Sequence, residues 1–212
     1  MRLELETYTP GEAEEITQVT QATVRNWRRA GYLPRPTGHA RYTAKDLLLM
    51  SAMHALVSRG LTPEAASGFA RGIADATFMS CINKSHSFSE SAFEAARKIV
   101  GDIPPERIKE VKARAGDSYS EDILYWADAA KLAMDTAERQ FGTTGLKAPD
   151  YFIIWANGEE EFAYHENICE KITEGALDEY VEGPVTLFTL AAMAGMILDR
   201  LPRKPITLAE ES

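Results

Sequence analysis

Apolar positions in the first third of the chain recur at the three- and four-residue spacing of helix faces, and a hydroxyl side chain opens each such stretch. Thr9 precedes Pro10, Gly11 and Glu12, the order of an N-cap, a first-turn proline and a capping-box acid. It predicts a helix with Ala13, Ile16 and Val19 on its apolar side. Residues 18–21 read as a short turn, and Thr20 caps a second helix over about 21–30. Ala22, Val24 and Trp27 are its expected buried residues, and Thr23, Arg25, Asn26, Arg28 and Arg29 lie on the other faces. Gly31 supplies a left-handed stop. Residues 33–43 place Pro34, Pro36 and Gly38 between short extended pieces and read as a hairpin, or wing, with Gly38 near its tip. Thr43 and Asp46 open a third helix, with Leu47, Leu48, Met50, Met53, His54 and Val57 inward and Gly60 at its end. Thr62-Pro63-Glu64 opens a fourth.

Residues 70–78 continue that helix, and 79–88 lack a clean period and read as a hinge or loop. Ser89 opens a helix through Val100, with Phe93, Ala96, Ile99 and Val100 inward. Pro104-Pro105-Glu106 opens a short helix ending near Gly116. Ser120 caps a longer one over 121–141, carrying Ile123, Trp126, Ala130, Ala133, Ala137 and Phe141. Its alanines permit close helix approach, within one chain or across a dimer. The period then changes. Residues 151–156 form a strand, Asn157-Gly158 a two-residue hairpin turn, and 160–165 the return strand. Residues 167–177 read as helix with Ile168, Cys169 and Ile172 inward. Residues 185–190 are either a third strand feeding a helix over 191–201 or part of one helix from Val185; the β-branched residues favour the strand. Residues 205–212 form an edge strand or a loose tail. The expected fold class is α+β, in three segments: a helical domain with the hairpin over 1–78, a helical connector or dimerisation region over 79–145, and a small α/β dimerisation or effector unit over 146–212.

Charge sharpens the picture. The net charge is -9, yet residues 1–60 carry 8 Lys/Arg against 6 Asp/Glu, and residues 61–212 carry 15 against 26. Between Ile16 and Lys45 there are six bases and no acid. An acid-free basic segment in an acidic chain points to a local polyanion contact, and the acidic remainder points away from nucleic acid. Two helices joined by a tight turn make a helix-turn-helix, whose second helix enters the major groove. Arginine there suits guanine edges as a fork and phosphates as a charge. Thr23, Arg25, Asn26 and Arg28 are the expected base contacts. Arg29, Arg35, His39, Arg41, Tyr42 and Lys45 are the expected backbone contacts. Twofold symmetry would let two copies read a palindrome, with Trp126, Ala130, Ala133, Phe141, Leu187 and Met193 as the candidate seam.

Other chemistries lack their motifs. The four histidines, His39, His54, His86 and His165, fall in no HExxH or histidine-cysteine cluster, and no GxSxG, GxxxxGK or Rossmann glycine set occurs. Cys81 and Cys169 are far apart and read as reduced core thiols. No enzymatic activity, cofactor or metal is therefore expected. The first residues have acids where a signal peptide needs a basic then apolar run, and the apolar stretch 184–198 is shorter than a bilayer span and broken by Gly195. The expectation is a soluble, cytoplasmic protein with no membrane partner.

The ordered motifs of residues 8 to about 69 resemble the winged helix-turn-helix domain of MerR-type transcription regulators. The carriers are Tyr8, Thr9, Gly11, Glu12 and Ala13 at the opening, Val19 and Thr20 at the turn, and Thr23, Val24, Arg25 and Trp27 in the second helix. Gly31 to Pro34 matches the exit, Gly38, Arg41 and Tyr42 the wing, Asp46-Leu47 the next helix start, and Arg59 to Thr62 the following turn. The resemblance implies binding of double-stranded DNA as a symmetric homodimer, with helix, wing and following helix on the duplex. Such regulators usually dimerise through a long C-terminal helix and often sense metals through cysteines. Here the remainder is long and mixed and the cysteines are isolated. Related domains occur in phage excisionases and small terminase subunits, which is the alternative reading. A protein or small-molecule partner for the C-terminal unit is left open.

Overall fold

Hydroxyl caps set the local structure at the N-terminus. Thr9 accepts from the Glu12 amide while the Glu12 carboxylate accepts from the Thr9 amide at 2.7 Å. Thr43 and Asp46 form the same reciprocal box. The computed structural model describes residues 1–35, 40–101, 104–115, 121–142, 148–177 and 183–209, without side chains at 107, 114–115, 121–126 and 174–177. Gly38, His39 and Ser120, and the side chains of Ile123 and Trp126, lie outside the described residues.

In chain order the elements are β1 (Leu3–Leu5), β2 (Thr7–Tyr8), α1 (Pro10–Thr17), α2 (Gln21–Arg29), β3 (Tyr42–Thr43), α3 (Ala44–Val57) and α4 (Pro63–Ile82). A 3-10 turn at Ser85–Ser87 leads to α5 (Glu90–Val100), α6 (Pro105–Ala115) and α7 (Glu121–Phe141). Then come β4 (Tyr151–Ile154), β5 (Glu160–Ala163), α8 (Ile168–Leu177), β6 (Thr186–Thr189), α9 (Leu190–Arg200) and β7 (Ile206–Leu208).

These elements form two compact units. One comprises Thr7–Cys81 with Leu146–Pro202, and the other Met1–Glu6, Ile82–Gly145 and Arg203–Ser212.

In the first unit α3 is buried on most sides, with Leu47, Leu48, Met50, Met53 and Leu56 at 2% exposure or less. Tyr8 is fully buried, and its strand pairs antiparallel with β3, Tyr8 opposite Tyr42. The three-stranded sheet has the order β5-β4-β6, with Phe162, Phe152 and Phe188 in register across it. The opposite face carries Ile153, Trp155 and Ala163, which pack with Ile168 and Ile172 of α8. Helix α9 packs on α1, α3 and the sheet, burying Leu190, Met193, Ala194 and Ile197. The Arg200 guanidinium donates to the Ile16 carbonyl at 3.0 Å, and the Thr77 hydroxyl meets the Met193 sulfur at 3.8 Å.

In the other unit β1 pairs antiparallel with β7, and the Leu3 amide donates to the Gln140 side chain at 2.7 Å. Helix α5 packs along α7, and the buried positions of both are largely alanines: Ala92 and Ala96 against Ala129, Ala130, Ala133 and Ala137. Small side chains let the two backbones approach closely.

Several expectations are corrected. Ala22 is exposed, because it shares a face with Arg25, Asn26 and Arg29 at i, i+3, i+4 and i+7. His54 is exposed near the end of α3. The strand at Tyr42 takes its partner from Thr7–Tyr8, a pairing that a local hairpin pattern does not suggest. Of residues 79–88, the first four lie in α4, which runs on to Ile82, and 85–87 form the 3-10 turn. Ile99 is 56% exposed, in the last turn of α5 before Gly101 turns the chain at φ 63°. Cys169 is exposed: it sits one step round α8 from the inward Ile168–Ile172 line, and Cys81 is buried. The β4–β5 turn uses three residues, Ala156 to Gly158, because Trp155 pairs with Glu159 and Gly158 takes φ 87°. Residues 186–189 are strand and feed α9, as the β-branched pattern favours.

Candidate nucleic-acid interface

The helix-turn-helix is built by two caps and one left-handed residue. Gln18 ends α1 at φ 60°, its amide donating to the Glu14 carbonyl at 2.9 Å. Val19 is 2% exposed and pins the turn to the core. Thr20 then caps α2, its hydroxyl accepting from the Thr23 amide at 3.2 Å. The hydroxyls of Thr20 and Thr23 are 2.9 Å apart, so Thr23 is engaged at the helix start. Gln21 reaches back to the Glu14 carboxylate at 3.1 Å, tying the second helix to the first.

Val24 and Trp27 anchor α2 in the core at 5% and 6% exposure. The opposite strip, Ala22, Arg25, Asn26 and Arg29, faces solvent. Two guanidiniums and an amide on one helical face, with a small residue at its leading end, can meet base edges and phosphates. Ala22 is the member that sequence reasoning misplaced; following the arginine spacing back by three residues would have found it. An alanine there also suits contact with a thymine methyl.

Arg28 departs from this strip. Its Nε donates to the Pro34 carbonyl at 3.1 Å and its Nη1 to the Tyr42 hydroxyl at 3.0 Å. Its Cζ lies 4.9 Å from the Tyr42 ring centroid. Tyr42 itself is 5% exposed and Arg28 is half-buried, so neither stands with the exposed Arg25 and Arg29. Arg35 and Arg41 are exposed on either side of residues 36–39, within the expected wing. Lys45, in the first turn of α3, places its ammonium 4.6 Å from the Phe78 ring centroid, directed toward α4. The structure therefore gathers Arg25, Asn26 and Arg29 on one face and leaves Arg28, Tyr42 and Lys45 in intramolecular contacts.

Of the expected seam residues, Ala130, Ala133 and Met193 are at most 9% exposed within the chain. Phe141 is half-buried. Leu187 on β6 is 40% exposed.

Outside this surface, a cleft of about 800 Å³ lies in the other unit, bordered by Phe88, Phe93, His86, Glu94, Arg97 and Lys204 among others. Its ionisable lining mixes acids and bases and selects no ligand charge. At the open end of the β4–β5 hairpin, Asp150 accepts from the His165 amide at 2.8 Å, a bond that ties the two strands' ends. Among the described residues there is no group of three His, Cys, Asp or Glu placed to hold a metal ion. Among them, too, no helix is long and apolar enough to cross a membrane.

Comparison with known proteins gives one result. The family model described as MerR HTH family regulatory protein matches residues 8–73. No curated protein and no solved structure gives a significant match to the chain. The matched span covers both helix-turn-helix caps, the exposed strip of α2, the described residues on either side of 36–39 and the first half of α4. It supports a DNA-binding regulatory role for the N-terminal segment. The rest of the chain is mixed α/β with small sheets and lies outside the match.

Proposed function

We propose that this protein is a sequence-specific, double-stranded DNA-binding transcription regulator of MerR type that acts as a homodimer and carries no enzymatic activity. The observation that carries the reading is the solvent strip of α2. Arg25, Asn26 and Arg29 share one exposed face of a capped second helix, within a segment that has no acid between Ile16 and Lys45. In this reading the N-terminal half of α2 lies in the major groove, where Arg25 and Asn26 read base edges with Thr23 and Ala22 beside them. Arg29, Arg35 and Arg41 hold phosphates and set the register. The acidic remainder stays off the duplex and supplies contacts between copies, since 26 acids face 15 bases beyond residue 60. Leu187 is the seam residue that best fits this role, being exposed on β6.

Mapping the bound DNA across the genome in living cells, alongside transcript levels with and without the protein, tests the proposal. Discrete bound sites upstream of genes whose transcripts change support it. Even coverage with unchanged transcripts sinks it.

A further inference from the structure

One side chain of α2 reaches both described segments that flank residues 36–39. Pro34 lies immediately before Arg35, and Tyr42 immediately after Arg41. Arg28 bonds both neighbours at once, the Pro34 carbonyl through Nε at 3.1 Å and the Tyr42 hydroxyl through Nη1 at 3.0 Å. Tyr42 is in turn fixed by its pairing with Tyr8, which is fully buried. From this geometry we infer that Arg28 is a positioning residue, a brace that sets Arg35 and Arg41 relative to Arg25 and so couples the wing to the reading helix. The inference rests on the DNA-binding reading above.

The chemistry requires arginine. A guanidinium is planar and presents divergent donors, so it can serve a carbonyl and a hydroxyl together. At 4.9 Å from the Tyr42 ring centroid the cation also gains from the aromatic face. Lysine keeps the charge but holds no fixed fork. Substituting it separates two roles that alanine would confuse. A phosphate contact made by charge alone survives Arg28→Lys, whereas a brace does not. Tyr42→Phe removes the acceptor hydroxyl and keeps the buried ring, so it spares the core.

The test uses full-length chains carrying Arg28→Lys, Tyr42→Phe or both, with melting temperature checked against the parent. Two labelled duplexes serve as probes: one of random sequence and one that the parent itself enriches from a random library. Affinity is measured over a salt series, and hydrogen exchange of the peptide around 40–43 is followed without DNA. Arg28→Lys is expected to weaken both duplexes by about tenfold and to lower the salt slope by about one unit, the signature of one lost phosphate contact. Exchange at the wing base should quicken at an unchanged melting temperature. The double variant should bind no worse than the weaker single one, because both changes open the same bond. Arg28→Lys with parental affinity and slope would overturn the brace. So would a loss confined to the enriched duplex, which would make Arg28 a base reader. A parent that enriches no duplex from the library and does not bind the random one would overturn the functional reading itself, an outcome distinct from variants that match a binding parent.

Discussion

Gly72 of α4 lies directly against Phe152 of β4: a Cβ at position 72 would stand 3.5 Å from the Phe152 ring and 3.8 Å from that of Phe162. The last helix of the family-matched span therefore packs on a sheet that the match does not include. One methyl fits at ordinary contact distance, and a larger side chain does not. Gly72→Ala should leave stability unchanged or raise it by up to about 1 kcal/mol through helix propensity. Gly72→Leu should cost about 1–3 kcal/mol by overpacking. Urea unfolding followed by circular dichroism checks both, and a neutral Gly72→Leu would contradict this packing.

The same packing bears on dissection of the chain. A fragment of residues 1–81 lacks α9, and with it the Arg200 bond to the Ile16 carbonyl and the Met193 contact with Thr77. It also leaves the α4 face at Gly72 without the sheet. It should melt well below the full chain and with less cooperativity. Thermal denaturation compares them, and a fragment as stable as the full chain would show that 146–202 adds nothing to the core.

Much of the DNA-facing segment was legible because its signals are local. Thr9, Thr20, Thr43 and Thr62 announce helix starts through bonds to amides within three residues, and Gly31 and Gly60 announce stops through positive φ. The Val24–Trp27 anchor follows from spacing within a single turn. What stayed hidden depends on distant partners. Strand β1 exists because residues some two hundred positions away form β7, and two-residue β2 exists because Tyr42 pairs with Tyr8. Ala130 and Ala133 looked equally suited to a dimer and to a neighbouring helix, since periodicity marks an apolar face without saying what covers it. Arg28 shared its charge with Arg25 and Arg29, and nothing in the string shows that its guanidinium turns to a tyrosine fourteen residues on.

The contrast between α2 and the wing gives a paired prediction. Arg25→Ala should weaken the enriched duplex by about 1–3 kcal/mol and random duplex far less, as expected when a base contact is lost. Arg41→Ala should weaken both alike and reduce the salt slope by about one unit. Fluorescence anisotropy over a salt series separates the patterns. Equal losses for Arg25→Ala would move that residue to the phosphate group.

Self-association has its own test. Sedimentation of the full chain at micromolar concentration should show a dimer, and Leu187→Glu should shift it toward monomer without lowering the melting temperature, because Leu187 is exposed. A monomeric parent would contradict the dimer, and a Leu187→Glu variant that still dimerised would place the seam elsewhere.

The central claim, that the exposed strip of α2 reads DNA sequence, is tested most directly by selecting duplexes from a random library with the full chain. The expected result is an enriched motif of two related half-sites, bound on the order of a thousandfold more tightly than random duplex and weakened steeply by salt. A library that emerges unenriched, with affinity for random duplex equal to that of any selected sequence, would contradict it.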